Sequence, residues 1–222
     1  MRKKIVVLGD SLSLERETVP KSKTYPELLK KHYEIINVSK SSQHLSEIDL
    51  KKLPEADALI FALGVCDSAP RILSLQSKRI ISKFPSLIKK IIFYTLSKIG
   101  PYKIFFSRKP HQHTPLSEYK KKLSRLIKKY NHVILITIPV VGEIQEQKKP
   151  GYQYQAILYN QCLYNLAEKN KNCHLFDAFT LSIKKGEKDI YYPDIANHWN
   201  IKGNKLVYEE LKKILFPILP PK

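Results

Sequence analysis

Lys3-Lys4-Ile5-Val6-Val7-Leu8-Gly9-Asp10-Ser11-Leu12 is the stretch on which the reading of this chain turns. Its apolar run has the length of a buried strand, and the glycine that closes it allows a sharp turn. A serine is thereby carried just beyond the strand's carboxyl end. Further apolar runs between breakers predict strands at 33–38, 58–63, 132–139 and 173–176. Helical spacing predicts helices over 24–31, 45–53, 115–130, 154–170 and 201–215. Thr24 is a candidate N-cap with Pro26 in the first turn, and Pro217, Pro220 and Pro221 are expected to stop the last helix. Strands alternating with helices imply an α/β chain whose parallel sheet is covered on both faces.

The bulk numbers agree with one globular unit. The chain has 222 residues, 43% hydrophobic and 27% charged, enough for a sizeable core. One domain is expected over residues 1–222, with a basic helical insertion at about 71–112. Cys66, Cys162 and Cys173 are odd in number and unpaired in spacing, which predicts no disulfide framework and a reducing compartment. The opening apolar run is too short for a secretory signal, and no 18-residue apolar stretch suggests a transmembrane segment. A cytoplasmic location is expected. Against 20 Asp and Glu stand 39 Lys and Arg, a formal charge of +19. That surplus favours anionic partners such as an acidic glycan, anionic lipid or nucleic acid, unless lysine is simply abundant over the whole surface.

In open parallel sheets, ligands bind beyond the carboxyl ends of the strands. Ser11 is expected there, either as a turn cap or as a nucleophile that needs a base. A second polar segment, Asp194-Ile195-Ala196-Asn197-His198-Trp199-Asn200-Ile201-Lys202-Gly203, precedes the last helix. His198 is the candidate base, because an imidazole exchanges a proton near neutrality.

The order of Gly9-Asp10-Ser11-Leu12, then Gly64-Val65-Cys66-Asp67, then His198-Trp199-Asn200-Ile201-Lys202-Gly203 resembles the GDSL (SGNH) hydrolases over most of the chain. The resemblance implies a flavodoxin-like three-layer α/β/α sandwich with a five-stranded parallel sheet. It implies chemistry on acyl esters, including acetyl groups on glycans, by hydrolysis or by O-acyl transfer. Ser11 would be the nucleophile and one oxyanion donor through its N–H, and His198 the base. Ser42 would stand where the family has a glycine whose N–H is a second donor.

Two departures accompany the likeness. The family's Gly-x-Asn-Asp block reads Gly64-Val65-Cys66-Asp67, with a thiol where an amide would donate to the oxyanion. The family's Asp three residues before the histidine is Ile195 here, with Asp194 one position further back. Asp194 reaches the imidazole despite the extra residue, or a main-chain carbonyl orients a Ser–His dyad. Gly64 to Arg71, Pro150-Gly151 and Tyr159-Asn160 also resemble a subgroup found in bacterial polysaccharide gene clusters. On that likeness Asp67 and Arg71 are candidates for binding or for holding the loop, the other reading being a structural ion pair.

Residues 71–109 mix Lys and Arg with Ile, Leu, Phe and Tyr and hold almost no acid. This segment reads as an amphipathic lid over the site, as an interfacial helix at the anionic inner face of a membrane, or as a hairpin with a solvated lysine face. His111-Gln112-His113 lacks further ligands at metal-binding spacing, so no metal is expected. There is no phosphate loop or dinucleotide fingerprint, and no cofactor is expected. No nucleic-acid-binding module is recognisable. The sequence therefore leaves two functional readings. One is a serine esterase or O-acyltransferase acting on a sugar ester through a Ser11 acyl-enzyme. The other is a catalytically weak protein of the same fold that binds an anionic glycan or membrane surface.

Overall fold

Alternate residues of Ile5-Val6-Val7-Leu8 pack into opposite cores, as a strand with period two requires. They lie in β1 (Lys4–Gly9) of a computed structural model that describes residues 2–74, 77, 80–106, 111–191 and 198–221. Beside it are β2 (Glu34–Asn37), β3 (Ala58–Ala62), β4 (His132–Ile136) and β5 (Cys173–Phe176). All pairings are parallel, in the order β2-β1-β3-β4-β5. The chain leaves β1 toward β2 on one side and reaches β3 on the other, which makes the β1/β3 boundary the topological switch point.

The helices are α1 (Tyr25–Leu29), α2 (Val65–Ser68), α3 (Ser86–Phe106), α4 (Leu116–Lys129), α5 (Glu143–Lys148), α6 (Tyr152–Lys169), α7 (Ala178–Lys185), α8 (Glu187–Ile190) and α9 (Ile201–Ile218). On one face of the sheet Val6, Leu8, Phe61 and Leu135 meet Tyr119 and Leu123 of α4 and Tyr159 and Leu163 of α6. On the other, Ile5, Val7, Ile60 and Ile134 meet Tyr25 and Leu29 of α1 and Val207 and Leu211 of α9. The outcome is the three-layer α/β/α sandwich that the alternation of elements predicts.

Three local expectations are corrected. Residues 45–53 are not one helix but two 3-10 turns, Leu45–Glu47 and Leu50–Lys52. Their carbonyls find donors elsewhere: Lys122 Nζ donates to Leu45 O and Ser46 O, and Lys129 Nζ to Leu53 O, at 3.0, 2.8 and 2.7 Å. Thr24 occupies the N-cap position of α1, yet its hydroxyl donates backwards to Lys21 O and caps nothing. Finally, α9 runs through Pro217 to Ile218, because a proline in the last turn removes only one N–H and the Leu219 N–H still reaches Leu215 O at 2.7 Å.

From Ser68 to Ser117 the sequence contains no acidic residue, and α3 lies in the middle of that span. It packs on α5, and Gly100 lies against Ile72, while Leu87, Ile91 and Tyr94 stay 68, 58 and 67% exposed. Among the described residues no helix is long and apolar enough to cross a membrane.

Candidate active site

The turn after β1 is fixed by its neighbours. Asp10 is fully buried, and its Oδ1 accepts from the Leu12 N–H at 2.9 Å, capping the 3-10 turn Ser11–Ser13. The turn cap is thus Asp10, which leaves the Ser11 hydroxyl available for another partner. A Cβ on Gly9 would sit 2.2 Å from Ser13 Oγ, so only glycine lets the turn close this tightly. Ser13 Oγ in turn bonds Tyr25 Oη at 2.6 Å, tying the turn to α1.

His198 arrives from the far end of the sequence. Trp199 stacks on Tyr191 with centroids 4.8 Å apart, and the Asn200 N–H donates to Ile190 O at 3.0 Å. Asn200 Oδ1 accepts from Gly203 N–H at 2.7 Å and caps α9. A Cβ on Gly203 would lie 2.2 Å from Ile190 O, so glycine is what lets α9 start against this loop. Asn204 Oδ1 then accepts from the Tyr25 N–H at 3.0 Å, docking α9 on α1. The His-x-Asn-x-x-Gly pattern therefore has a mechanical meaning: Asn200 and Gly203 start the helix that sets the imidazole in place.

Together these contacts bring Ser11 Oγ to 3.0 Å from His198 Nε2. His198 is 7% exposed. With Nε2 unprotonated, the serine hydroxyl donates to it, the geometry from which a hydroxyl can be activated as a nucleophile. Asp194 lies outside the described residues, within 192–197.

Ser11 and His198 open onto a cavity of about 270 Å³ that Ser42, Val65, Cys66, Arg71 and Tyr152 also line. It lies at the carboxyl ends of β1 and β3, at the switch point. Ser42 has φ +55°, the left-handed conformation that favours glycine, so serine occupies a glycine-like backbone position and keeps its N–H. Gly64 caps α2 at φ +146°, and a Cβ there would lie 2.7 Å from Ile138 Cγ1. Burial pushes the Cys66 thiol up to about 12, with the Asp10 carboxylate adding to the rise. Cys66 stays a neutral S–H at physiological pH, which speaks against a nucleophilic role.

Asp67 is buried and accepts from the Leu45 N–H at 2.7 Å and from the Thr114 hydroxyl. It joins the end of β3 to the turns after β2, and no ion pair links it to Arg71 among the described residues. Burial raises its carboxyl to about 6 and that of Asp10 to about 7. Arg71 is held by a backbone bridge to His111, with Arg71 N–H to His111 O at 2.7 Å. Arg16 and Lys149 line the same cavity, and sequence reasoning passed over both. Neither sits in a motif, and only the fold brings them to Ser11. No group of three or more His, Cys, Asp or Glu side chains is arranged to hold a metal among the described residues.

No family model and no curated protein sequence matches the chain. Solved structures do. A lipase/acylhydrolase from Enterococcus faecalis superimposes with a TM-score of 0.63 at 15% identity, over 99% of this chain and 98% of that one. TesA gives 0.56 at 16% identity, over 98% of this chain and all 100% of the other. Axe2, an acetylxylan esterase from Geobacillus stearothermophilus, gives 0.55 at 16% identity, over 95 and 93%. At such identities the likeness establishes the architecture: this chain has the SGNH hydrolase fold across nearly its whole length.

Proposed function

We propose that the chain is an ester-processing enzyme of the SGNH type, acting on an acyl ester of a sugar or polysaccharide intermediate. The 3.0 Å contact between Ser11 Oγ and His198 Nε2, inside a cavity at the switch point, is the observation that carries this reading. Ser11 Oγ attacks the acyl carbonyl as His198 takes its proton. The resulting oxyanion is held by the N–H groups of Ser11 and Ser42. His198 then protonates the departing alcohol, and the acyl group stays on Ser11. Water releases it as an acid in hydrolysis, or an acceptor hydroxyl takes it as a new ester in transfer, His198 removing the proton in either case. Asp194 is assigned the orienting role on the family resemblance. Asp10, Gly64 and Asp67 shape the turns from which the donors project.

The thiol of Cys66 stands where the family has an amide donor, and one lost donor costs roughly 10²–10³ in rate. Slow turnover is therefore expected with simple esters. The test is hydrolysis of 4-nitrophenyl acetate by the wild-type chain, Ser11→Ala and His198→Ala. Each variant is expected to lose about 10³-fold or more. Equal turnover by all three would remove the proposal.

A second reading is a catalytically weak protein on this fold that binds an anionic glycan or membrane surface. The Cys66 substitution favours it, as does the exposed apolar and basic face of α3, which suits an anionic bilayer at the inner face of the cytoplasmic membrane. Co-sedimentation with phosphatidylglycerol vesicles, but not phosphatidylcholine vesicles, at physiological salt is the result this reading expects.

A further inference from the structure

We infer that the substrate is an amphiphile: an acetyl ester of a sugar whose hydrocarbon tail lies in an apolar groove beside α3. The inference rests on the ester-processing reading and names the substrate class of that same site. A cavity of about 470 Å³ lies between α3, the segment after α2 and the end of α5. Apart from Arg71, Lys148 and Lys149, every described residue lining it is apolar or glycine. Phe93, Leu96 and Gly100 follow one another at helical spacing, so α3 turns a single face to it. A Cβ on Gly100 would lie 2.4 Å from Ile72 Cδ1, so glycine lets that face approach the segment after α2. The exposed Leu87, Ile91 and Tyr94 fall on another face of α3, by the same spacing. The groove is therefore distinct from the surface that would meet a bilayer.

Its position decides what the groove takes. Arg71 and Lys149 line both the groove and the cavity of Ser11 and His198, so the two spaces adjoin. Lys149 Nζ lies 5.4 Å from the centroid of the Tyr152 ring, a wall of the catalytic cavity. Its aliphatic stem thus bridges the two spaces, with the charge toward the catalytic side. A tail passing it would reach Ile72, Leu73, Phe93 and Leu96, and burying apolar surface there is favourable. The acyl side of the ester has no comparable room. Leu12, next to Ser11, lines the catalytic cavity with Val65 and Ile138, and behind these three is a recess of only about 20 Å³. That space suits roughly one water-sized group. Tyr25, Trp199 and Val207 also line it. An acetyl methyl fits it and a longer acyl chain does not, so the tail in the groove belongs to the alcohol.

Acetate release from O-acetylated glucose and from O-acetylated octyl glucoside, kept below its micelle-forming concentration, tests this. Binding of unacetylated octyl glucoside is measured in parallel by calorimetry. The octyl ester is expected to exceed the glucose ester about tenfold or more in kcat/KM. Leu96→Glu and Phe93→Ser, checked for folding by circular dichroism, should each bring the ratio of the two back toward one. On the acyl side, 4-nitrophenyl octanoate should turn over more slowly than 4-nitrophenyl acetate. An octanoate preferred over the acetate, with a preference that Leu96→Glu removes, would seat the acyl chain in the groove and overturn the inference. Equal kcat/KM for the two sugar esters, or a tail preference untouched by both variants, also overturns it and leaves the ester reading intact. Absent turnover of every ester, with octyl glucoside binding that Leu96→Glu weakens, removes the ester reading and keeps tail recognition. Neither turnover nor binding removes both.

Discussion

Ser11 Oγ and His198 Nε2 lie 3.0 Å apart although the two residues are 187 positions apart in the sequence. Local contacts, more than the pair's own hydrogen bond, hold that juxtaposition. Asp10 fixes the serine's turn, while Trp199, Asn200 and Gly203 fix the loop that carries the imidazole. Disturbing either support should reach the chemistry.

Gly203→Ala is the sharpest case. The added methyl would meet Ile190 O at 2.2 Å, and that backbone also anchors Asn200. Overpacking of this kind costs about 1–3 kcal/mol. Urea melts should show that loss, and esterase assays should show kcat falling further than stability alone explains, because the start of α9 positions His198.

Ser42→Gly should do the opposite. A serine at φ +55° bears a steric cost that glycine escapes, partly offset by glycine's greater freedom in the unfolded chain. A gain of roughly 0.5–1 kcal/mol is expected. Turnover of 4-nitrophenyl acetate should persist, since the donor assigned here is a backbone N–H. A variant that folds but loses activity would show that the Ser42 side chain itself takes part.

Cys66→Asn should restore the amide the family carries at this position. If the site works by oxyanion stabilisation, kcat should rise by about 10–10². A fall in kcat would show that Cys66 fills some other need. The raised thiol also predicts slow alkylation of Cys66 by iodoacetamide at pH 8, read by intact-mass spectrometry.

Asp10 makes stability depend on pH. Its carboxyl is raised from 3.8 to about 7, chiefly by burial, so the folded chain holds a proton that the unfolded chain releases between those values. Stability from this group is therefore greatest at low pH and falls as pH rises toward 7, by up to about 1.4 kcal/mol per unit. Asp10→Asn retains the oxygen that accepts from Leu12 and cannot ionise. Its melting temperature relative to wild type should climb from pH 5 to pH 8. A constant difference would contradict the assigned burial effect.

The strands were legible because they depend on local sequence, whereas Ser11 and His198 were singled out together by the order of motifs in the family resemblance. Apolar runs between breakers mark strands, and short motifs mark strand-end turns. The 45–53 segment was not legible, since its carbonyls are satisfied by Lys122 and Lys129 from a helix far along the chain. The end of α9 at Ile218 depended on whether the last turn could spare one N–H at Pro217. Arg16 and Lys149 carry no motif, and their meaning comes only from the cavity that the fold assembles around Ser11.

The most direct measurement is covalent trapping with a fluorophosphonate, followed by intact-mass and peptide mass spectrometry. The account predicts one phosphonyl adduct per chain, located on Ser11, absent in Ser11→Ala and formed at least about 10²-fold more slowly in His198→Ala. Labelling elsewhere, or labelling of His198→Ala at the wild-type rate, would contradict it.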